Sequence, residues 1–356
     1  MADAGPIAVF RTDASAAIGG GHVSRCLTLA TELGKRNWRC LFVTNRDATD
    51  VVPALRRSGV AIRNVDPADL SGASGCRDLT GIVTVVFDHY GLAADDEAAW
   101  RSVAGVVVAI DDLADRRHDV DILLDQTFGR EPVDYRARVP DACRMLLGPG
   151  YALLRGEFAQ ARETSLARRQ VPGRRLLITL GATDTEGVTM TILDAIAELR
   201  FDVADVLVGA ANPHRERLRE RAANVGPHVR IHVDADNVAA LMAAADLAIG
   251  AAGSTSYERC CLGLPSVVVV TAANQALNSE RLARHGAVVA LGPAHGLTAS
   301  AVRHAVEGLL DDAGRMYQLS QAAAAVCDGH GAARVADRLE AVIAGGAAGT
   351  RMAVQS

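Results

Sequence analysis

The chain has 356 residues, about twice the length of a common single domain, and this length predicts two domains. A composition of 49% hydrophobic and 22% charged residues is typical of a folded globular protein and argues against disorder. The net charge of −5 and the aromatic content of 4% exclude a basic, base-stacking surface, so we expect no nucleic-acid partner. A phosphate-bearing ligand would have to be held by local groups.

The sequence shows no sign of export or of membrane insertion. Its first residues lack a basic segment followed by an apolar run, and the most apolar window, residues 264–273, is too short to span a bilayer. The seven cysteines form no C-x-x-C pair, which argues against a disulfide framework or a zinc site. We therefore expect a cytoplasmic protein with no membrane partner. No interface stripe is evident, and we expect a monomer.

Short apolar runs alternate with helical patterns along the whole chain, which is typical of α/β domains with parallel sheets. In the first half, strands are predicted at 7–10, 40–44, 82–88, 106–111 and 121–124, with helices at 22–35 and 51–58. The arginine-rich segment 158–175 interrupts the pattern as a boundary or an exposed helix with a turn. Further strands are then predicted at 176–180, 203–208, 229–233, 247–250 and 266–270.

This pattern predicts two Rossmann-like domains, residues 1–155 and residues 156–345, followed by a mobile glycine-rich tail, residues 346–356. Each domain is expected to hold a doubly wound parallel sheet. In such sheets a ligand lies at the carboxyl ends of the strands, so we expect it in a cleft between the two domains.

A glycine-rich loop joins the first predicted strand to the first helix and ends at His22. Its glycines would let backbone N–H groups approach a ligand at the helix N-terminus. The helix dipole disfavours protonation of His22, so a neutral imidazole would be available there as a base; the alternative is that His22 merely caps the helix. The candidate binding residues of this segment are Arg11, Asp13, Gly19, Gly20 and Gly21.

The second half repeats this arrangement of strand, glycine turn and helix. The small residues Ala252 and Gly253 let a ligand approach the backbone closely. The hydroxyl and N–H groups of Ser254 and Thr255 suit a diphosphate. Glu258 stands three residues after Thr255. Its carboxylate would take both hydroxyls of a ribose, or it would simply complete a capping box.

Four further strand ends carry candidate residues. Asn274 and Gln275 follow the strand at 266–270 and could bind sugar hydroxyl or acetamido groups, unless the asparagine only forms a turn. Tyr90 follows the strand at 82–88, and Gly181 follows the strand at 176–180. The paired acids after residue 110 are not assigned to a metal, because adjacent side chains at a strand end point in different directions.

The second half resembles the UDP-binding domain of GT-B glycosyltransferases, among them the peptidoglycan enzyme that adds N-acetylglucosamine to the lipid-linked precursor. The residues that carry this resemblance are 245–249, Gly253-Ser254-Thr255, Glu258, Gly263-Leu264-Pro265 and Asn274-Gln275. The glycine loop with His22-Val23 also has a counterpart in that group.

A more specific resemblance covers about residues 7–335. It is carried by Arg11-x-Asp13-x-Ser15, Ile18-Gly19-x-Gly21-His22-Val23, Arg25-Cys26-Leu27-Thr28-Leu29-Ala30, Asp88-His89-Tyr90, Ile110-Asp111-Asp112-Leu113, Asp121-x-Leu123-Leu124-Asp125-Gln126, Leu147-Gly148-Pro149-x-Tyr151-Ala152-Leu153-Leu154-Arg155-x-Glu157-Phe158 and Gly250-Ala251-Ala252-Gly253-Ser254-Thr255. The chain resembles the family of hydrolases that cleave UDP-2,4-diacetamido-2,4,6-trideoxy-β-L-altropyranose in pseudaminic acid biosynthesis. It departs from that family at Ala182, where members often have glycine, and at Tyr257, where they commonly have tryptophan.

This resemblance implies a GT-B fold with a sugar-binding, catalytic first domain and a UDP-binding second domain. It implies that water attacks the anomeric carbon with inversion, that UDP leaves, and that neither a metal nor a cofactor takes part. His22 would be the base or water-orienting group, Tyr90 and Asn274 would hold the sugar or the water, and Glu258 would bind the ribose. Segment 233–238 would frame the uracil through its backbone.

Two other functions remain open at this point. A glycosyltransferase could use a UDP-N-acetyl-sugar donor on the same scaffold, although a membrane-acceptor enzyme would need an exposed apolar or basic patch in the first domain, and residues 47–69 are mixed in charge. The third possibility is a catalytically silent protein that binds nucleotide sugars.

Overall fold

The structure is a computed structural model that describes residues 5–66, 68–169 and 173–353. The chain divides into two compact units. The first consists of Met1–Leu153 with His330–Ser356, and the second of Leu154–Gly329.

The first unit contains a parallel sheet of seven strands in the order β3-β2-β1-β4-β5-β6-β7. Its strands are β1 (Ile7–Thr12), β2 (Arg39–Thr44), β3 (Ala61–Asn64), β4 (Ile82–Asp88), β5 (Val106–Ile110), β6 (Ile122–Asp125) and β7 (Arg144–Leu147). The helices among them are α1 (Gly21–Lys35), α2 (Ala48–Val51), α3 (Pro53–Arg57) and α4 (Ala94–Ala98), with 3₁₀ turns at Ser74–Cys76, Pro132–Tyr135 and Pro149–Tyr151.

The second unit contains a parallel sheet of six strands in the order β10-β9-β8-β11-β12-β13. Its strands are β8 (Arg175–Thr179), β9 (Val203–Val208), β10 (Val229–Val233), β11 (Leu247–Ala251), β12 (Ser266–Val270) and β13 (Val289–Pro293). Its helices are α5 (Gly156–Arg168), α6 (Val188–Ile196), α7 (Arg215–Val225), α8 (Val238–Ala244), α9 (Thr255–Cys261), α10 (Ala276–Arg284), α11 (Ala299–Leu310) and α12 (Ala313–Ala324), with a 3₁₀ turn at Ala273–Gln275. A last helix, α13 (Gly331–Ala353), belongs to the first unit.

Both sheets are covered on two faces, which explains the apolar runs of the sequence. All six residues of β1 and all five of β11 are buried. On α1 the buried positions Val23, Cys26, Leu29 and Leu33 recur every three or four residues, so one stripe of the helix faces the sheet. The predicted fold class, two doubly wound parallel α/β sheets, is therefore confirmed.

The strand order of each sheet reverses once. In the first unit the reversal lies between β1 and β4, and in the second it lies between β8 and β11. Loops that leave neighbouring strands on opposite sides of such a reversal open a crevice at the carboxyl edge of the sheet, where ligands bind in this class of fold. The glycine loop before His22 follows β1, and the turn at Gly253 follows β11.

Several element predictions were incomplete. The helix predicted at 51–58 is interrupted, because Val52 is not helical (φ −124°, ψ 79°) and Pro53 begins a new helix after α2. Strands β3, β7 and β13 were missed; β3 and β13 have exposed or half-buried residues at the sheet edge, so they lack the apolar run that marks a central strand. The segment at 158–175 contains most of α5 and the first residue of β8, while residues 170–172 lie outside the described residues.

The proposed second-domain limit at residue 345 is corrected by the structure. Helix α13 packs on the first unit, where Ala332, Val335, Ala336 and Leu339 join the core cluster that contains α1. Polar contacts fix the same helix: Arg36 lies 2.6 Å from Asp337 and 2.9 Å from Glu340. The second unit thus ends at Gly329, because the apolar stripe of α13 is needed to cover the first sheet.

The predicted mobile tail, residues 346–356, lies at the far end of α13 and, for residues 354–356, outside the described residues. In the described part of the chain no helix combines the length and the apolarity that crossing a bilayer requires.

Replacing Leu339 by alanine is predicted to lower the free energy of unfolding of the first unit by about 2–4 kcal/mol, because a buried side chain is removed from its core. Both tryptophans of the chain, Trp38 and Trp100, lie in this unit, so tryptophan fluorescence during urea unfolding reports on it selectively. The exposed Arg338→Ala on the same helix is the control. Equal transitions for both variants would contradict the assignment of α13 to the first unit.

Candidate active site

His22 lies in the first turn of α1 and pairs with a buried carboxylate. Its Nδ1 is 2.5 Å from Oδ1 of Asp88, the last residue of β4. Asp88 is fully buried and His22 is 6% exposed. An ionised carboxylate only accepts hydrogen bonds, so Nδ1–H donates to Asp88. In the neutral form of the ring, Nε2 is then the nitrogen that can accept a proton. Among the described residues no hydrogen bond engages Nε2.

Arg25, one helical turn after His22, completes this pair. Its Nε donates to Oδ2 of Asp88 at 2.6 Å, and its Nη2 donates to Oδ1 at 2.6 Å. Nη1 donates to Asp112, just beyond β5, at 3.0 Å. The guanidinium therefore joins α1 to the ends of two strands with charge-assisted hydrogen bonds in a bidentate geometry.

The charges in this cluster keep Asp88 ionised. Burial alone would raise the pKa of Asp88, but Arg25 and His22 outweigh it and hold that pKa well below its usual range. Burial likewise acts to lower the pKa of Arg25, and Asp88 raises it well above the ordinary value. The carboxylate and the guanidinium thus remain charged, and His22 faces a permanent negative charge through Nδ1.

Tyr90 contacts the imidazole ring of His22. Its ring meets the His22 ring edge-on, with the centroids 4.5 Å apart and an interplanar angle of 82°. Its hydroxyl donates to Asp112 at 2.9 Å. The structure therefore brings together His22 and Tyr90, as predicted, and it rules out the alternative in which His22 merely caps α1, because the N-cap position is Gly20.

The three glycines before His22 have different roles. Gly19 has φ +80°, which favours glycine. Gly20 packs against Val52, where a Cβ would lie 2.7 Å from a methyl carbon. Gly21 is exposed with open space beside its Cα. The N-cap residue of α1 is Gly20, which has no side chain to cap the first N–H groups of the helix.

Arg11 and Asp13 bind each other. Arg11 is fully buried, its guanidinium donates to both oxygens of Asp13 at 2.6 and 3.1 Å, and its Nε donates to the Leu70 carbonyl. Asp13 also accepts from the Asn45 backbone and lies 3.2 Å from Nε2 of His89. We therefore infer that Arg11 supports the loop from within and does not touch a ligand, contrary to the prediction. Asp13, at 8% exposure, is its main partner.

The paired acids beyond β5 point apart, as expected for adjacent side chains at a strand end. Asp111 accepts from Arg116, from the Ala114 backbone and from the hydroxyl of Tyr135, whereas Asp112 faces Arg25 and Tyr90. Among the residues that the structure describes, no group of three or more His, Cys, Asp or Glu side chains is arranged to hold a metal ion.

The second unit places the predicted diphosphate turn at the end of β11. Ala252 is buried, whereas Gly253, Ser254 and Thr255 are half-buried. Asn278 of α10 fixes the turn, since its Nδ2 donates to the Ala252 carbonyl at 3.1 Å. The hydroxyl of Tyr257 donates to Oδ1 of the same asparagine at 2.6 Å. Tyr257, where the resembled hydrolases commonly have tryptophan, therefore holds the asparagine that fixes the turn.

The other predicted residues of this unit lie at neighbouring strand ends. Gln275 accepts from the Thr271 backbone at 3.0 Å, and its amide nitrogen lies beside Gly253, where an added Cβ would be 3.4 Å away. Asn274 is exposed in the 3₁₀ turn after β12. Gly181 follows β8 with φ +93° and is exposed. Gly181 and the Gly253 turn thus follow the two strands on either side of the strand-order reversal.

Glu258 lies in α9 with a side chain that is 17% exposed. Its nearest cation is Arg155, whose Nη2 is 4.0 Å from Oε1 and 3.0 Å from Glu157. Burial raises the pKa of Glu258 to about 7, and Arg155 and Arg259 offset this only in part. The helix has no capping box here, because Ser254 caps it without a side-chain hydrogen bond. The capping interpretation of Glu258 is therefore wrong.

Sequence reasoning did not assign roles to Asp88 and Arg25. Both stood in the motifs of the resemblance, and the spacing of His22 and Arg25 on one helix was a usable signal. The partner of that pair is 66 residues away from His22, however, and only the sheet topology brings it near.

Comparisons with known proteins agree with this architecture. Residues 176–339 match the Glycosyltransferase family 28 C-terminal domain. The structure of Acinetobacter baumannii MurG aligns with a TM-score of 0.69 at 14% identity, covering 94% of this chain and 99% of that one. The fold is of the GT-B type. In this GT-B chain the family 28 match spans most of the second unit and continues into α13.

Two curated relatives have sequences similar to this GT-B chain. The UDP-2,4-diacetamido-2,4,6-trideoxy-beta-L-altropyranose hydrolase of Campylobacter jejuni is 25% identical over 284 residues, which is 78% of this chain and 96% of that protein. The spore coat polysaccharide biosynthesis protein SpsG of Bacillus subtilis is 27% identical over 293 residues, 77% of this chain and 80% of that protein. The resemblance to the hydrolase that the motifs indicated is confirmed.

Replacing Glu258 by glutamine is predicted to stabilise the protein at pH 8 but not at pH 4.5. The native state holds the Glu258 proton more tightly than the unfolded chain, so wild-type stability falls as the pH rises from 4.5 to about 7. Each pKa unit corresponds to about 1.4 kcal/mol, so the gain approaches about 3 kcal/mol above pH 7.

Unfolding followed by circular dichroism at several pH values measures this gain, with the exposed Glu280→Gln as the control. A gain that is the same at pH 4.5 and pH 8 would show that the pKa of Glu258 is not raised in the native state.

Proposed function

We propose that this protein is a hydrolase that releases UDP from UDP-2,4-diacetamido-2,4,6-trideoxy-β-L-altropyranose. Water attacks the anomeric carbon with inversion, and no metal ion takes part. The observation that carries the proposal is the pairing of His22 with the buried Asp88, which leaves Nε2 as a base. The substrate is taken from the similarity to the Campylobacter jejuni hydrolase.

In this mechanism His22 Nε2 accepts a proton from water while the water oxygen bonds to the anomeric carbon. The bond from that carbon to the diphosphate oxygen breaks, and UDP leaves with the electron pair. Asp88 stabilises the imidazolium and keeps the ring in the tautomer that the reaction needs. Arg25 donates to both oxygens of Asp88 and so holds the carboxylate in place. The imidazolium then returns its proton to solvent.

The second unit supplies the nucleotide site of the proposal. The N–H and hydroxyl groups of Gly253, Ser254 and Thr255 hold the diphosphate, and Glu258 accepts hydrogen bonds from the ribose hydroxyls. Among the cationic side chains of the described residues only that of Arg155 lies within 4.0 Å of the Glu258 carboxylate, which therefore has capacity for such donors. Tyr90 and Asn274 bind the sugar or the attacking water. Segment 233–238 frames the uracil, and Gly181 and Gln275 line the same strand ends.

A glycosyltransferase is the second candidate function. It is favoured by the match of residues 176–339 to the Glycosyltransferase family 28 C-terminal domain. An acceptor hydroxyl would then give its proton to His22 in place of water. The two functions differ in product, because a hydrolase forms the free sugar without any acceptor. The cytoplasmic location and the monomeric state expected from the sequence remain predictions.

The proposal predicts that the purified protein with EDTA releases UDP and free sugar from this substrate. His22→Ala should lower kcat at least 1,000-fold, a typical loss for a base paired with a carboxylate. Asp88→Asn should lower kcat about 100-fold or more, because the imidazolium loses its negative partner and Arg25 its counter-ion. The exposed His295→Ala is the matched control. NMR of the products and calorimetric UDP binding are the measurements.

Both active-site variants should bind UDP as the wild type does, which separates a chemical effect from misfolding. Full turnover by His22→Ala would overturn the mechanism. Loss of activity in EDTA that returns with a divalent metal would overturn metal independence. UDP release only in the presence of an acceptor would favour the transferase.

A further inference from the structure

Arg259 is a buried cation behind the β11–α9 turn. It is 1% exposed. Its Nη2 donates to the Ala251 carbonyl at 2.7 Å and to Oγ of Ser256 at 3.0 Å. Its Nη1 donates to Oγ1 of Thr255 at 3.3 Å. The guanidinium thus contacts the end of β11 and the first two hydroxyls of α9.

The charge of Arg259 has no ion-pair partner among the described residues, unlike those of Arg11, Arg25 and Arg130, each of which holds an aspartate. Its Nε has no hydrogen-bond partner either. Burial lowers the pKa of Arg259 to about 10, so it is still a cation at neutral pH. A buried charge without a counter-ion is costly, and a nearby anion relieves that cost.

The absence of a side chain at Gly250 leaves room for the Arg259 guanidinium. Gly250 lies against the guanidinium, and a Cβ at that position would clash with Nη1. The same Cβ would come within 3.0 Å of the Thr179 carbonyl at the end of β8. Arg259 therefore lies where the strand order reverses, behind the turn to which the diphosphate is assigned.

We propose that Arg259 is a positioning residue of the diphosphate site, whose charge is balanced by the bound diphosphate and whose Nη1 holds Thr255 Oγ1. A hydroxyl that accepts from Arg259 is free to donate its own proton, and the diphosphate is the acceptor. The attraction acts without contact, since unit charges a few ångströms apart interact strongly when water is excluded. This inference rests on the proposed function, which assigns UDP to this turn.

The test compares the affinities for UDP and for uridine, which lacks the diphosphate, by calorimetry. We expect Arg259→Met to lower the preference for UDP over uridine at least tenfold, while the uridine affinity changes less than twofold. Arg259→Lys keeps the charge and should retain most of the preference. The melting temperature of Arg259→Met should be equal to or above that of the wild type, because a buried charge is removed.

A purely structural role would give a different result, in which Arg259→Met melts earlier and weakens UDP and uridine equally. That outcome, or an unchanged preference for UDP, overturns the role of Arg259 and leaves the proposed function intact. If Arg259→Met does not fold, the ratio of UDP affinity to uridine affinity is measured for Arg259→Gln instead. Glutamine keeps hydrogen bonds but not the charge. Failure of the wild type to bind UDP would instead overturn the proposed function itself.

Discussion

The carboxylate of Asp88 lies at the buried end of a central strand, and the arrangement of the first unit's site depends on how its charge is balanced. A buried carboxylate is costly unless it is paired and hydrogen-bonded. Arg25 supplies the pairing charge, and His22 and Cys26 supply further donors, all from α1. This fixes the first turn of the helix against β4. Asp112 shares the same guanidinium and thereby ties the end of β5 to the cluster.

In the second unit the buried charges are not balanced in this way. Glu258 and Arg259 are consecutive, largely buried and without close ion-pair partners among the described residues. Burial moves both pKa values toward neutrality, to about 7 for the glutamate and to about 10 for the arginine. A ligand with hydroxyl donors and negative phosphates would offset both costs at once. The proposed binding of UDP therefore explains two residues that the fold alone leaves unfavourable.

Much of the fold could be predicted because the central strands are uniformly apolar and helix α1 is strongly periodic. Edge strand β3 was missed because its residues are mostly exposed, and α13 was assigned to the wrong unit because periodicity does not say which sheet a helix covers. Within the site, the glycine loop and His22 were found from local sequence. The Asp88 partner was not, because a contact over 66 residues depends on strand order. Arg11 was predicted to bind substrate because its burial cannot be read from residue type.

The proposed reaction is tested most directly by hydrolysis in oxygen-18 water, with the label located by mass spectrometry. Attack at the anomeric carbon predicts that the free sugar carries the label and that UDP carries none. This result should be unchanged by EDTA and should disappear with His22→Ala. Label in UDP would mean attack at phosphorus and would contradict the mechanism built on the His22–Asp88 pair.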